Sequence, residues 1–152
     1  MSIVYVHYGS KHFDPLRFMP IKNKVLGTKP EGGLWASPLG CKYGWKEWND
    51  NSKFSDCNDD NSFQFTLKEN TKILQINSID DLIPLPKASS IIPAPSFWTI
   101  LDFEKLIDTG VDAIQVNMSN DTSADITNGL YFQLYGWDCD SILVMNKEVI
   151  LI

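Results

Sequence analysis

The chain has 152 residues, about the size of one domain, and its 43% apolar and 21% charged residues are ordinary for a globular protein. Thirteen basic and nineteen acidic side chains leave a formal charge of −6, which argues against a broad phosphate-binding face though not against a local one. The longest wholly apolar runs, Ile142 to Met145 and Val149 to Ile152 among them, have four residues, far too short to span a bilayer, so a membrane class is excluded.

The first residues carry neither a basic region nor a small-residue cleavage site, so no signal peptide is expected. Cys41, Cys57 and Cys139 lie far apart and are odd in number, which points to a reducing cytoplasm rather than a disulfide scaffold. The whole chain, 1–152, is read as a single domain.

In chain order, Ile3 to Tyr8 is rich in β-branched and aromatic residues and stops at Gly9, which predicts a first strand. Ser10 to Glu31 carries Pro15, Pro20, Gly27 and Pro30 without periodicity and reads as a surface excursion. Gly33 to Ser37 is a short second strand ended by Pro38. Tyr43 to Asn49 suits about two helical turns, with Trp45 and Trp48 on one face. Asn49 to Asn61 is a polar loop. Phe63, Phe65 and Leu67, then Ile73, Leu74 and Ile76, predict two neighbouring strands.

Ser78 with Asp81 resembles a capping box opening a short helix that ends near Pro84, and Pro84 to Ser96 is a loop. Apolar residues at 97, 100, 101, 103, 106 and 107 form a helical stripe stopped at Gly110. Ala113 to Met118, Leu130 to Trp137, Ser141 to Met145 and Val149 to Ile152 read as strands. Strands and helices do not alternate regularly, so a doubly wound parallel sheet is not expected. The class is α+β, with seven or eight short strands and two or three helices.

Several motifs are absent. No glycine-rich dinucleotide or phosphate-binding loop occurs, and cysteine and histidine spacing fits no zinc pattern, so no metal is expected. The loop from Asp56 resembles a calcium loop, but Asn61 replaces its glycine and Leu67 its bidentate glutamate. Cys139 lies between Asp138 and Asp140, whose charges would raise a thiol pKa, the opposite of activation.

Polar residues interrupt core-like strands in three places: His7-Tyr8-Gly9-Ser10, Gly33-Leu34-Trp35-Ala36-Ser37, and Asp138-Cys139-Asp140 before Ser141-Ile142-Leu143-Val144. Taken in order, these resemble the motifs of the ADP-ribosyltransferase superfamily. Its histidine branch, which includes the poly(ADP-ribose) polymerases and diphtheria toxin, ends the first strand with His-Gly. A glycine-bearing second strand with an aromatic residue nearby follows, and an acidic residue opens a late apolar strand. Here Tyr8 is inserted into the first motif, tryptophan stands for tyrosine, and an Asp-x-Asp replaces the acidic motif.

The resemblance implies an ADP-ribosyltransferase-like fold of mixed sheets and NAD+ as co-substrate. Catalytic roles fall to His7, Asp140 and Asp138. NAD contacts fall to His7, Gly9, Ser10, Trp35, Ser37, Trp45 and Trp48, grouped around one cleft. Nicotinamide leaves NAD as a neutral molecule, so the energetic demand is the oxocarbenium-like charge on the ribose, which a carboxylate stabilises. A neutral His7 would bond the other ribose, Gly9 would offer its backbone to the carboxamide, and the indoles would stack on the ring. The implied activity is mono-ADP-ribosylation of a macromolecular target by an effector of a bacterium or its phage. The acidic charge favours a protein target and leaves a nucleic-acid acceptor open. Three alternatives stay open: a non-catalytic binding or inhibitor protein on the same fold, an NAD glycohydrolase, and a cysteine hydrolase using Cys139 and His7.

Overall fold

Apolar residues on both faces of two consecutive strands dictate where the centre of the molecule lies. A computed structural model describes residues 2–23, 27–52, 59–89, 95–121 and 129–152, with the backbone alone at 51 and 52. The strands are β1 (Tyr5–Tyr8), β2 (Leu34–Pro38), β3 (Ser62–Leu67), β4 (Ile73–Ile76), β5 (Ala113–Val116), β6 (Ser141–Val144) and β7 (Ile150–Leu151). The helices among the described residues are α1 (Trp45–Ser52), α2 (Phe103–Asp108) and α3 (Leu130–Gln133). The seven strands form one mixed sheet in the order β4-β5-β6-β2-β1-β3-β7. The class is α+β, with one sheet in place of the expected plural.

Every residue of β5 and β6 is buried, as befits central strands covered on both sides. Alternation then sorts side chains between two faces. Trp35, Ile114, Val116 and Leu143 join Ile76, Phe103, Leu106, Leu130, Leu134 and Trp137 on the first face. Leu34, Ala36, Ala113, Ile142 and Val144 join Tyr5, Phe65, Leu67 and Val149 on the second. The register sets Trp35 opposite Leu143 and Ala36 opposite Ile142. Among the described residues only β4 and β5 pair in parallel, and the crossover between them carries α2.

The structure departs from the sequence reading in three places. Strands β3 and β4 are not neighbours: β3 pairs with β1 and β7, while β4 lies at the opposite edge of the sheet. After β3 the chain crosses to β4, whose entry is tied to β5: Asp112 accepts from the Lys72 N–H at 2.9 Å and donates its own N–H to the Lys72 carbonyl at 2.9 Å. Leu130 to Trp137 is not a strand but α3 followed by a turn, capped where Asp121 accepts from the Leu130 N–H at 2.8 Å. Leu130 and Leu134 are buried while Tyr131 and Tyr135 are exposed, which is helical spacing. The stripe from 97 is helical only over α2, where Asp102 caps the Lys105 N–H at 3.0 Å. The box at Ser78 does form, with Asp81 accepting from the Ser78 N–H at 3.2 Å, and opens one 3-10 turn, Ile79–Leu82.

Gly33 has a structural purpose. Its φ is +75°, and an added Cβ would meet Leu143 Cδ1 at 2.6 Å and the Val144 carbonyl oxygen at 2.9 Å. The chain enters β2 pressed against β6, so the glycine is required by packing. No helix among the described residues is long and apolar enough to cross a membrane. Residues 24–26, 53–58 (Cys57 and the start of the calcium-like loop among them), 90–94 and 122–128 lie outside the described residues.

Candidate functional site

The sheet order makes β1, β2 and β6 consecutive neighbours, so the three motif-bearing segments meet although the sequence separates them widely. Side-chain bonds tie them further. His7 Nδ1 lies 2.6 Å from the Trp35 carbonyl oxygen, and the Ser37 hydroxyl donates to the Asp140 carbonyl at 2.8 Å. The same Ser37 oxygen accepts from the Trp45 N–H at 2.9 Å, so β2 fixes the start of α1 as well.

The side chains themselves do not share one cleft. His7 lies two residues after Tyr5, on the same side of β1, and packs on Phe63 at 5.1 Å, on the second face, whereas Trp35 belongs to the first. The expectation of a single cleft holding His7 and Trp35 is therefore corrected. A strand places successive residues on opposite faces, and β1 and β2 are registered so that these two fall on different sides.

A carbonyl only accepts, so His7 Nδ1 carries the proton and donates to Trp35, leaving Nε2 as an acceptor in the neutral ring. Burial lowers the His7 pKa and outweighs the Trp35 bond, which acts in the opposite direction. The unfolded chain therefore takes up a proton near 6.5, and the folded protein does so only at lower pH. The His7 contribution to stability is complete above that value and is lost as pH falls towards the folded pKa. The urea midpoint is expected to fall between about pH 7 and pH 5, and His7→Gln should flatten that portion of the profile. An identical slope in the variant would show that His7 is not the titrating group.

On the second face His7 lines a cleft of about 220 Å³ with Ser10, His12, Phe13 and Phe63. Ser10 donates to the His12 carbonyl at 3.4 Å, away from Trp35. Gly9 cannot supply its N–H to a carboxamide, because that group already donates to the Asn61 carbonyl at 2.9 Å. This corrects the donor role expected of Gly9.

The first face carries the Trp35 and Trp137 indoles. Trp35 packs edge-on against buried Trp137 at 4.7 Å, and Trp45 packs edge-on against Trp48 at 5.7 Å. The Lys29 ammonium lies over both Trp35 and Trp45, at 5.0 and 4.8 Å from the ring centroids. Two indoles thus share one cation, an arrangement with substantial attraction when partly desolvated. Trp45 contributes to this cradle, and Trp48 buttresses it.

Asp138, Cys139 and Asp140 precede β6 rather than continue it, so strand alternation does not govern them. Asp138 is half-buried and Asp140 is 3% exposed. The Asp140 carboxylate accepts from the Ser119 N–H at 2.7 Å, the Ser119 hydroxyl at 2.5 Å and the Tyr43 N–H at 3.4 Å. It joins the turn after β5 to the entry of α1, so the expected open position facing a cleft is corrected. Cys139 is fully buried, and burial pushes its thiol well up despite the nearby Lys29 charge. Cys41 is likewise raised by burial, to about 11. Neither is poised as a nucleophile.

Lys29 and Ser119 were not singled out by the sequence. A lysine beside Pro30 before two glycines, and a serine in a polar run, carry no local mark of a site. Comparison with protein-family models, curated proteins and solved structures found no match.

Proposed function

We propose that the chain is an NAD-dependent mono-ADP-ribosyltransferase acting on a macromolecular target, with a protein as the favoured acceptor. The observation that carries this reading is the adjacency of β1, β2 and β6, which gathers a histidine, an aromatic strand and an acidic strand head. On this reading the nicotinamide ring stacks on Trp35 and Trp45, where flat aromatic surface favours a cationic ring. Asp140, 3% exposed and held by three donors, acts through its fixed negative charge, which stabilises the oxocarbenium-like ribose without touching it. His7 acts from behind β2 as a positioning residue, holding the Trp35 carbonyl rather than touching the nucleotide.

The second reading is a non-catalytic binding protein with the same cradle. It is favoured by the burial of Asp140, whose donors already satisfy most of its capacity. Incubation of purified protein with NAD, with free nicotinamide as the readout, separates the two. Steady release, faster with acceptor, is expected of the transferase, and release unaffected by any acceptor would indicate a glycohydrolase. Binding without release would leave only the second reading.

A further inference from the structure

We propose that Lys29 is a built-in occupant of the aromatic cradle, whose ammonium a flat cationic ligand must displace in order to stack on Trp35 and Trp45. The inference rests on the reading of those two indoles as the nicotinamide-facing pair. The lysine is placed by its surroundings. Thr28 is 2% exposed and donates to the Tyr135 carbonyl at 2.6 Å, and its own carbonyl accepts from the Trp137 indole at 3.3 Å. From that anchored backbone the side chain passes Gly136, where an added Cβ would lie 3.7 Å from Lys29 Cε. The ammonium then reaches both rings.

Two further groups point to a ligand. The Trp45 indole N–H and the Ser141 hydroxyl on β6 are buried with no hydrogen-bond partner among the described residues. Buried donors are nearly always paired, so each can bond an acceptor brought by a ligand. A pyridinium bearing a carboxamide offers both parts, a cation for the rings and a carbonyl for a donor. The competition also makes the site selective. A pyridinium replaces one cation by another, whereas the neutral dihydropyridine of a reduced nicotinamide would expel the ammonium and return no charge to the rings.

The test uses 1-methylnicotinamide, a fixed cation without the rest of NAD, followed by tryptophan fluorescence on the full chain. Lys29→Met is expected to bind it about 3- to 30-fold more tightly than the parent, the scale of one cation–π contact. Lys29→Arg keeps the cation and should stay within about 2-fold. In the parent protein, acylation of the Lys29 amine should quicken when the probe is added, and this measurement decides the matter if Lys29→Met does not fold. Equal or weaker binding by Lys29→Met, slower acylation, or no binding by any of the proteins overturns the proposal. Tighter probe binding without nicotinamide release from NAD would uphold Lys29 and reject the transferase. Release from NAD without tightening would do the reverse.

Discussion

Asp140→Asn is expected to reduce nicotinamide release by about 10²–10³-fold, the scale for losing one preorganised electrostatic group, while costing only about 1–3 kcal/mol of stability. The structural cost is limited because the amide can keep most of the network. Its oxygen can still accept from the Ser119 N–H at 2.7 Å, and the Ser119 hydroxyl can turn to accept from the new amide nitrogen. What remains unmatched is the long bond from the Tyr43 N–H at 3.4 Å. Urea unfolding beside single-turnover release separates the two effects, since a protein still mostly folded cannot lose two decades of rate through stability alone. A rate within about threefold of the parent would remove Asp140 from the reaction and leave it a cross-link between β6, the turn at Ser119 and α1. Cys139→Ser provides the contrast, and its release rate should be close to that of the parent.

Trp137→Ala should destabilise the fold by about 3–5 kcal/mol, the usual range for deleting a buried tryptophan. Trp137 is 1% exposed, meets Trp35 edge-on at 4.7 Å and lies parallel to Phe103 at 6.2 Å. Its indole also holds the Thr28 carbonyl at 3.3 Å, next to Lys29. The cavity would therefore open behind the cradle as well as in the core. Trp137→Phe should retain most of the packing but free Thr28, so it should lose much less stability while loosening ligand binding. A loss below about 1 kcal/mol for the alanine variant would mean that Trp137 is not the keystone that its burial indicates.

Where the sequence was legible, the reason was periodicity over a fully buried stretch. The apolar runs at Ala113 and Ser141 became β5 and β6, buried at every position, and the β-branched and aromatic run from Ile3 became β1, buried at Tyr5 and Val6 and half-buried at His7 and Tyr8. Leu130 to Trp137 misled for the opposite reason. Its Tyr and Phe residues favour strands individually, yet burial at Leu130 and Leu134 follows the helical repeat. The pairing of β3 with β1 and β7 could not be read either, since the choice of strand neighbours is made by long-range contacts and not by the apolar pattern of β3 itself.

The candidate site divides in the same way. The order of motifs anticipated that the strands of His7 and Trp35 and the segment of Asp140 would meet. Alternation then sent His7 and Trp35 to opposite faces, which depends on a register that no local motif encodes. Lys29 stayed hidden because a cation over two indoles is a property of the folded chain. Its partners at Trp35 and Trp45 belong to different elements.

The central position of β6 has a consequence for how the protein is made. While it is being synthesised, β2 and β5 both lack the neighbour that covers their inner edges until residues 141–144 emerge. Until then the nascent chain presents Trp35, Ile114 and Val116 without Leu143 to close over them. Exposed apolar surface of this kind favours aggregation, and formation of the centre is governed by long-range loop closure rather than local propensity. The cradle should therefore form late and all at once. A chain arrested before Ser141 should be unable to hold a cationic ring, even though every tryptophan of the cradle has already been made.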